Sequence, residues 1–527
     1  MSGLRMATKA ICVLAGIGVY SAAAAKEWPQ WCGTDCKNMV ADEKGLPDTF
    51  VPGKKDPQGK GIDLATTRNV QWVARTGTSN SLSTPAVAGG KLFFGANDHN
   101  QGVFKCLDAR TGRLLWKYTA PHRNVPRRME GCNLPFNFAH FAAELGICSS
   151  PAVDGNRVYF VNHRCEVVCL DIDAAPAAGA PPAADVPDAK VAWVFDMWET
   201  TGVRPSDACD GSPLIVGDLL YVCTSNGVDR EASVPYADNR KTPAPNAPNL
   251  IVLAKKTGRL VATDDAAHIG PNIMHGQWSS PSRGMVSGRQ LILFGGGDGV
   301  CYALEALGQA PERPVKLKTV WSFDCNPPEY KDCGGLDWAT RYSLGDKRLK
   351  QSLNKKNEAG FVGMSEIIGT PVFYKNRVYV AIGRDPEHGR GRGALWCIDA
   401  GKTGDITRTG CIWSYQGLDR TLSTASIAGG LLYIADVAGR IHCLDAESGQ
   451  LRWVYETKET VWGSTLVADG KIYLPTQKYL HVLQAGREIK PLARISLGAP
   501  MWASAVAADG TLYVASTRYL WAVRQAK

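Results

Sequence analysis

The chain has 527 residues, 45% of them hydrophobic, and a net charge of +9 from 59 Lys and Arg against 50 Asp and Glu. That apolar fraction excludes a disordered chain, and the length allows one large repeat domain or two to three ordinary ones. The positive charge is spread along the chain; its densest run, LGDKRLKQSLNKK at 344–356, reads as a solvated loop and gives nucleic-acid binding no support.

Residues 1–25 read as an export signal. Arg5 and Lys9 supply a basic start, ICVLAGIGVY (11–20) a short apolar core, and SAAAA an A-x-A cleavage site ending at Ala25. The core is too short to span a bilayer, so the mature chain is expected to be periplasmic or secreted, without a transmembrane segment; a retained signal anchor is the alternative. Residues 26–67 form an N-terminal extension. Export permits disulfides, and two short-spaced pairs, Cys32 with Cys36 and Cys325 with Cys333, read as disulfides rather than metal ligands, since neither has a second ligand pair nearby in sequence.

From residue 83 onward one unit recurs in eight registers: small polar residues, an apolar pair, a glycine-containing turn, then an apolar strand with Tyr or Phe. Examples are STPAVAGGKLFF (83–94), SSPAVDGNRVYF (149–160), GTPVFYKNRVYV (369–380) and ASAVAADGTLYV (503–514). The proline slot falls at Pro85, Pro151, Pro213, Pro281, Pro371, Ala425, Thr465 and Ala505, so the last units are spaced by about 40 residues, the period of a four-stranded propeller blade. A second phrase, KCLDARTGRLLWKYT at 105–119 and HCLDAESGQLRWVYE at 442–456, reads as a hairpin, because its apolar residues alternate with polar ones beyond a turn-forming Gly. The slot before "LD" holds Cys106, Cys169, Val252, Ala303, Cys397, Cys443, Val482 and Ala522, all small and apolar, which assigns four cysteines to core packing.

Fourth-strand tryptophans follow at 116, 193, 321, 413 and 453, but Trp72 precedes the first unit and the eighth unit stops without a fourth strand. Residues 69–75 are therefore predicted to complete the last blade. The expected fold is all-β: an eight-bladed propeller of four-stranded blades over 68–527, closed by an N-terminal strand that pairs an otherwise open sheet edge.

Long insertions at 120–145, 226–248, 325–364 and 384–393 fall on one face, with the Ala/Pro-rich 174–185 on the other, so binding is expected on the insertion-bearing face. Three residues before each proline slot, Leu82, Cys148, Asp210, Trp278, Ile368, Leu422, Trp462 and Trp502 should ring the mouth of the central channel. Trp278, Trp462, Trp502 and Asp210 are candidates for holding a ligand or partner, or for plugging the hole. Asp298 and Arg384 join them from adjoining turns. The nine histidines show no metal-ligand spacing, so no metal site is assigned.

The phrases LDA.TG...W and SSPAV.G..VY resemble the repeat of PQQ-binding-like β-propeller proteins, a group that includes quinoprotein dehydrogenases and a non-catalytic outer-membrane assembly propeller. The resemblance spans roughly 68–525. For catalytic members it implies a quinone over a tryptophan floor, Ca²⁺ bound by Glu, Asn and Asp, an Asp base and often a disulfide between adjacent cysteines. This chain has no Cys-Cys pair, and HGQWSSPS (275–282) carries serines where the base segment has aspartates. YVCTSNG (221–227) resembles the strand that supplies the calcium-binding asparagine, which makes Asn226 a candidate. The absence of C-x-x-C-H excludes a covalently attached haem domain. The expectation is an exported, monomeric binding or scaffold protein, more binder than enzyme, for an unidentified protein or small-molecule partner. A PQQ- and Ca²⁺-dependent oxidoreductase and an outer-membrane assembly factor are the alternatives.

Overall fold

A computed structural model describes residues 27–59, 61–79, 82–123, 145–172, 186–228, 242–265, 269–327, 365–383 and 393–525. The export signal, Arg384, Cys333 and most of each insertion lie outside the described residues.

Each repeated unit folds as a four-stranded antiparallel blade, and eight blades form the ring; three of them carry a fifth short strand at an edge. Blade 1 is Ala86–Ala88, Lys91–Asp98, Gln101–Asp108 and Leu114–Ala120, in that spatial order. Blade 8 is built from both ends of the chain: Tyr519–Val523 pairs antiparallel with Val70–Arg75, and Ala522 lies opposite Trp72. The ring closure read from the misplaced tryptophan is the observed one.

The repeated hairpin phrase works as a joint between blades. In every blade the small residue before "LD" is followed by a β-bulge. In six blades that residue faces a fourth-strand tryptophan, as Cys443 faces Trp453. The indole then reaches into the next blade. Trp72, Trp193, Trp321, Trp413 and Trp453 donate Nε1–H to the carbonyls of Ala109, Lys255, Ala400, Ala446 and Gly486, at 3.0 to 3.3 Å. The glycine of the turn makes room for the ring: at Gly112, Gly258 and Gly449 a Cβ would come within 2.5 to 2.6 Å of the preceding blade's indole. Trp116 is the exception, with its buried Nε1 unpartnered among the described residues, because blade 2 has the Ala/Pro-rich insertion where its neighbours have the TG turn. The core accordingly lies between blades; Tyr433, Cys443 and Trp453 of blade 6, for example, pack on Ile472 and Leu474 of blade 7.

Residues 28–43 form a strap that circles one end of the ring. Trp28 exchanges two backbone hydrogen bonds with Val87 of blade 1, and Pro29 accepts from Val153 of blade 2. Asp35, Cys36 and Met39 accept from Arg283, Phe373 and Val467 of blades 4, 5 and 7. The Asn38 amide pairs with both backbone groups of Ile427 in blade 6, and Glu43 accepts from Asp509 and Gly510 of blade 8. Except in blade 8, these partners stand five residues after the channel-mouth positions, so the strap crosses the channel about 16 Å from the mouth, at the opposite end. Lys37 is wholly buried in the strap, where Nζ donates to Gln30 Oε1 (2.8 Å) and the Trp31 carbonyl (3.1 Å).

The strap also corrects the first disulfide expectation. Cys32 and Cys36 are separate thiols: Cys32 is buried within the strap, while Cys36 lies 3.2 Å from the Thr34 hydroxyl. The loop from 32 to 36 is instead organised around Lys37 and the Asp35–Arg283 ion pair (2.7 Å). Cys325 is a buried free thiol whose sulfur contacts the Phe323 carbonyl at 3.7 Å.

Candidate functional site: a one-ended channel

The innermost strand of each blade runs along the channel, and its alternate residues face inward. All eight predicted mouth residues, from Leu82 to Trp502, therefore line a single cavity of about 470 Å³. Two residues deeper comes a second ring in which every blade presents a hydroxyl: Thr84, Ser150, Ser212, Ser280, Thr370, Thr424, Ser464 and Ser504. Seven of these residues donate their backbone N–H to the hydroxyl oxygen of the next blade, at 2.8 to 3.1 Å. These links, broken only between Ser280 and Thr370, fix blade spacing and satisfy polar groups that face the cavity. At the strap end the indole of Trp31 closes the cavity, with its Nε1 donating to Thr370 Oγ1 (2.9 Å). The channel is a cup.

Three of the mouth residues are indoles, two on the neighbouring blades 7 and 8 and one on blade 4. Trp462 and Trp502 lie with ring centroids 5.1 Å apart and planes inclined by 40°. Trp278 is tied to the Ala208 carbonyl through Nε1 (3.1 Å) and meets the His275 ring edge-on at 4.4 Å. Next to Trp278, the entry to blade 3 is acidic. Asp207 Oδ2 lies 2.7 Å from His275 Nε2, and His275 Nδ1 lies 3.9 Å from the buried Glu366. Asp210 Oδ1 is buried without a hydrogen-bond partner. Burial pushes the Asp210 carboxyl up to about 6, against the opposing effect of a hydrogen bond from the Cys148 thiol. No Lys or Arg is among the described residues lining the cup.

The structure thus brings Trp278, Trp462, Trp502 and Asp210 together and leaves two other candidates outside. Asn226 is fully buried away from the cavity, where Oδ1 accepts from the Arg204 N–H (3.1 Å) and Nδ2 donates to the Ala244 carbonyl (3.0 Å). Asp298 serves its own turn, accepting from the Tyr302 hydroxyl (2.6 Å) and the Val300 N–H (3.1 Å). Arg384 lies outside the described residues. Sequence reasoning missed Trp31, Asp207 and His275, which sit in aperiodic segments. It also missed the hydroxyl ring, although a Ser or Thr stands at the second position of every quoted unit. In HGQWSSPS the serines hold blade 4 to blade 5, with Ser279 Oγ donating to the Gly369 carbonyl (3.0 Å) and Ser282 Oγ to that of Pro371 (2.5 Å).

The quinone site implied by the repeat can be tested against these side chains. PQQ carries three carboxylates and calls for cationic partners, whereas the described cup offers two aspartates and no cation. Calcium takes six to eight oxygens, Asn226 is committed to backbone, and no cluster of three or more His, Cys, Asp or Glu able to hold a metal occurs among the described residues. The described residues do not fit PQQ with Ca²⁺.

Eight blades with these joints define a PQQ-like β-propeller. The chain belongs to the family described as outer membrane protein assembly factor BamB, whose profile matches residues 62–262 and 385–489. Among solved structures it is similar to BamB from Moraxella catarrhalis, with 13% identity, 86% of this chain and 99% of that one covered, and a TM-score of 0.51. It is also similar to a europium-containing methanol dehydrogenase, with 11% identity, coverage of 93% and 89%, and a TM-score of 0.54. At these identities the likeness is one of fold. No curated protein matches the chain.

Proposed function

We propose that this protein is an exported binding propeller that receives a ligand, or a projecting group of a partner, in the tryptophan-lined cup, and that it acts without quinone chemistry. One observation carries this reading: eight strand starts converge three indoles and a carboxylate with one unpartnered oxygen on a cavity of about 470 Å³ that is closed behind. That volume is in the range of small-molecule sites, about 300–1,000 Å³. Export rests on the signal pattern of residues 1–25; no helix among the described residues is long and apolar enough to cross a membrane. The test is a calorimetric and fluorescence titration of the purified mature protein. PQQ with Ca²⁺ should show no saturable binding at micromolar levels and no dye-linked alcohol oxidation. A compact neutral probe, 3,3-dimethylbutan-1-ol, should perturb the tryptophan emission of the parent but not of a Trp462→Ala, Trp502→Ala double variant. Micromolar PQQ binding with a dehydrogenase activity lost in Asp210→Ala would overturn the reading.

A second reading, a scaffold in outer-membrane protein assembly, is favoured by the family match. It predicts that the occupant of the cup belongs to a protein, so a photo-crosslinker at Leu145 on the rim would capture a defined polypeptide in the cell envelope rather than nothing.

A further inference from the structure

The cup sets the indoles of Trp462 and Trp502 on blades 7 and 8 across from the carboxylates that lead into blade 3, and this pairing, taken together with the binding role proposed above, indicates what kind of guest it takes. A buried carboxylate oxygen without a partner is costly, and the cost falls when a complementary group enters. Asp210 Oδ1 is such an atom, and it belongs to a residue lining the cavity. Asp207 adds a second carboxylate on the same side, tied to His275 at 2.7 Å, and no Lys or Arg is among the described residues lining the cavity. Indole faces attract cations held within about 6 Å of the ring centroid. The inclined Trp462–Trp502 pair offers such faces across the same cavity.

We propose that the cup binds an organic cation, a protonated amine or quaternary ammonium group, with Asp210 as its counter-ion and Trp462 and Trp502 as its wall. The hydroxyl ring beneath supplies oxygen acceptors for an N–H-bearing guest. Burial raises the Asp210 carboxyl only to about 6, so it remains mostly ionised at neutral pH. The same chemistry can arrive as a free alkylammonium compound or as a lysine side chain of a partner protein.

The experiment is calorimetry on the mature protein with four probes: choline, Nα-acetyl-lysine amide, acetate, and 3,3-dimethylbutan-1-ol, the neutral isostere of choline. At least one cation should bind at least about tenfold more tightly than the neutral isostere, and acetate not at all. Preference for choline assigns a free ligand, and preference for the lysine amide a protein-borne one. Asp210→Asn should weaken the cation by about tenfold or more and leave the neutral isostere within about twofold. If that variant does not fold, Asp210→Ser, which also removes the charge, gives the same discrimination, weakening the cation alone. Equal affinity for choline and its neutral isostere, or no effect of Asp210→Asn, overturns the cation assignment while the binding role stands. If no probe binds, both fall.

Discussion

Gly449 sits at φ +71° under the ring of Trp413, whereas Gly430, at φ +77°, has nothing within 4 Å of where a Cβ would point. The two glycines separate what the repeated phrase does from what any tight turn needs. Gly430→Ala should cost only the left-handed backbone term, about 1–2 kcal/mol, while Gly449→Ala adds a collision at 2.5 Å and should cost about 2–5 kcal/mol. Urea unfolding of the two variants reads the difference, and equal losses would show that the indole is not seated on the turn. Lys37 offers a residue-scale test of the strap. Burial lowers its ammonium to about 8, opposed mainly by the Cys32 thiol. Between about 8 and the ordinary lysine value near 10.4 the unfolded chain therefore holds more protons than the folded one, so folding gains stability as pH rises. Relative to Lys37→Met, the parent should gain melting temperature from pH 8 to pH 10 and show no such trend below pH 8. A flat difference would mean the amine is solvated.

The strands were legible because side-chain alternation and a turn signal recur in fixed order, and counting back from the proline slot placed all eight channel-lining residues. Trp72 was legible as a strand because its phrase matches those of other blades while its position does not. The strap was not legible: WPQWCGTDCKNM has no period, and what orders it is hydrogen bonding to seven blades remote in sequence. Asn226 misled because an Asn-Gly pair after a strand looks the same whether its amide faces a ligand or, as here, is occupied by the backbone. The two N-terminal elements should separate on truncation. Trp72 is 4% exposed and bonded to Ala109, so Trp72→Ala should lose about 3–5 kcal/mol, and removal of residues 26–76 should lose more by opening the edge of Tyr519–Val523. Removing residues 26–46 alone spares the closing strand. It should leave the ring folded at a lower melting temperature and unstopper the cup, and a melting temperature unchanged in either truncation would contradict the pairing seen here.

Across the whole molecule the cysteines report how evenly the ring is packed. Of the described thiols only Cys411 is exposed and Cys36 half-buried, while burial raises those of Cys106, Cys169, Cys397 and Cys443. Among the described thiols a maleimide at pH 7 should label Cys411 first and Cys36 next, and reach those four core thiols only with global unfolding, as mass mapping of a time course would show. Early labelling of Cys443 would mean that blades 6 and 7 part without the others. A sheet assembled from both ends of the chain also dictates when the protein can be finished. Val70–Arg75 leaves the ribosome long before Tyr519–Val523 exists, and the strap must wait for seven blades made after it. These are the contacts of greatest sequence separation in the molecule's seam, and such contacts form slowly. Interior blades can assemble in order as the chain emerges, but the seam can be sewn only after Tyr519–Val523 has emerged, which makes it the stage most exposed to mispairing with a second copy.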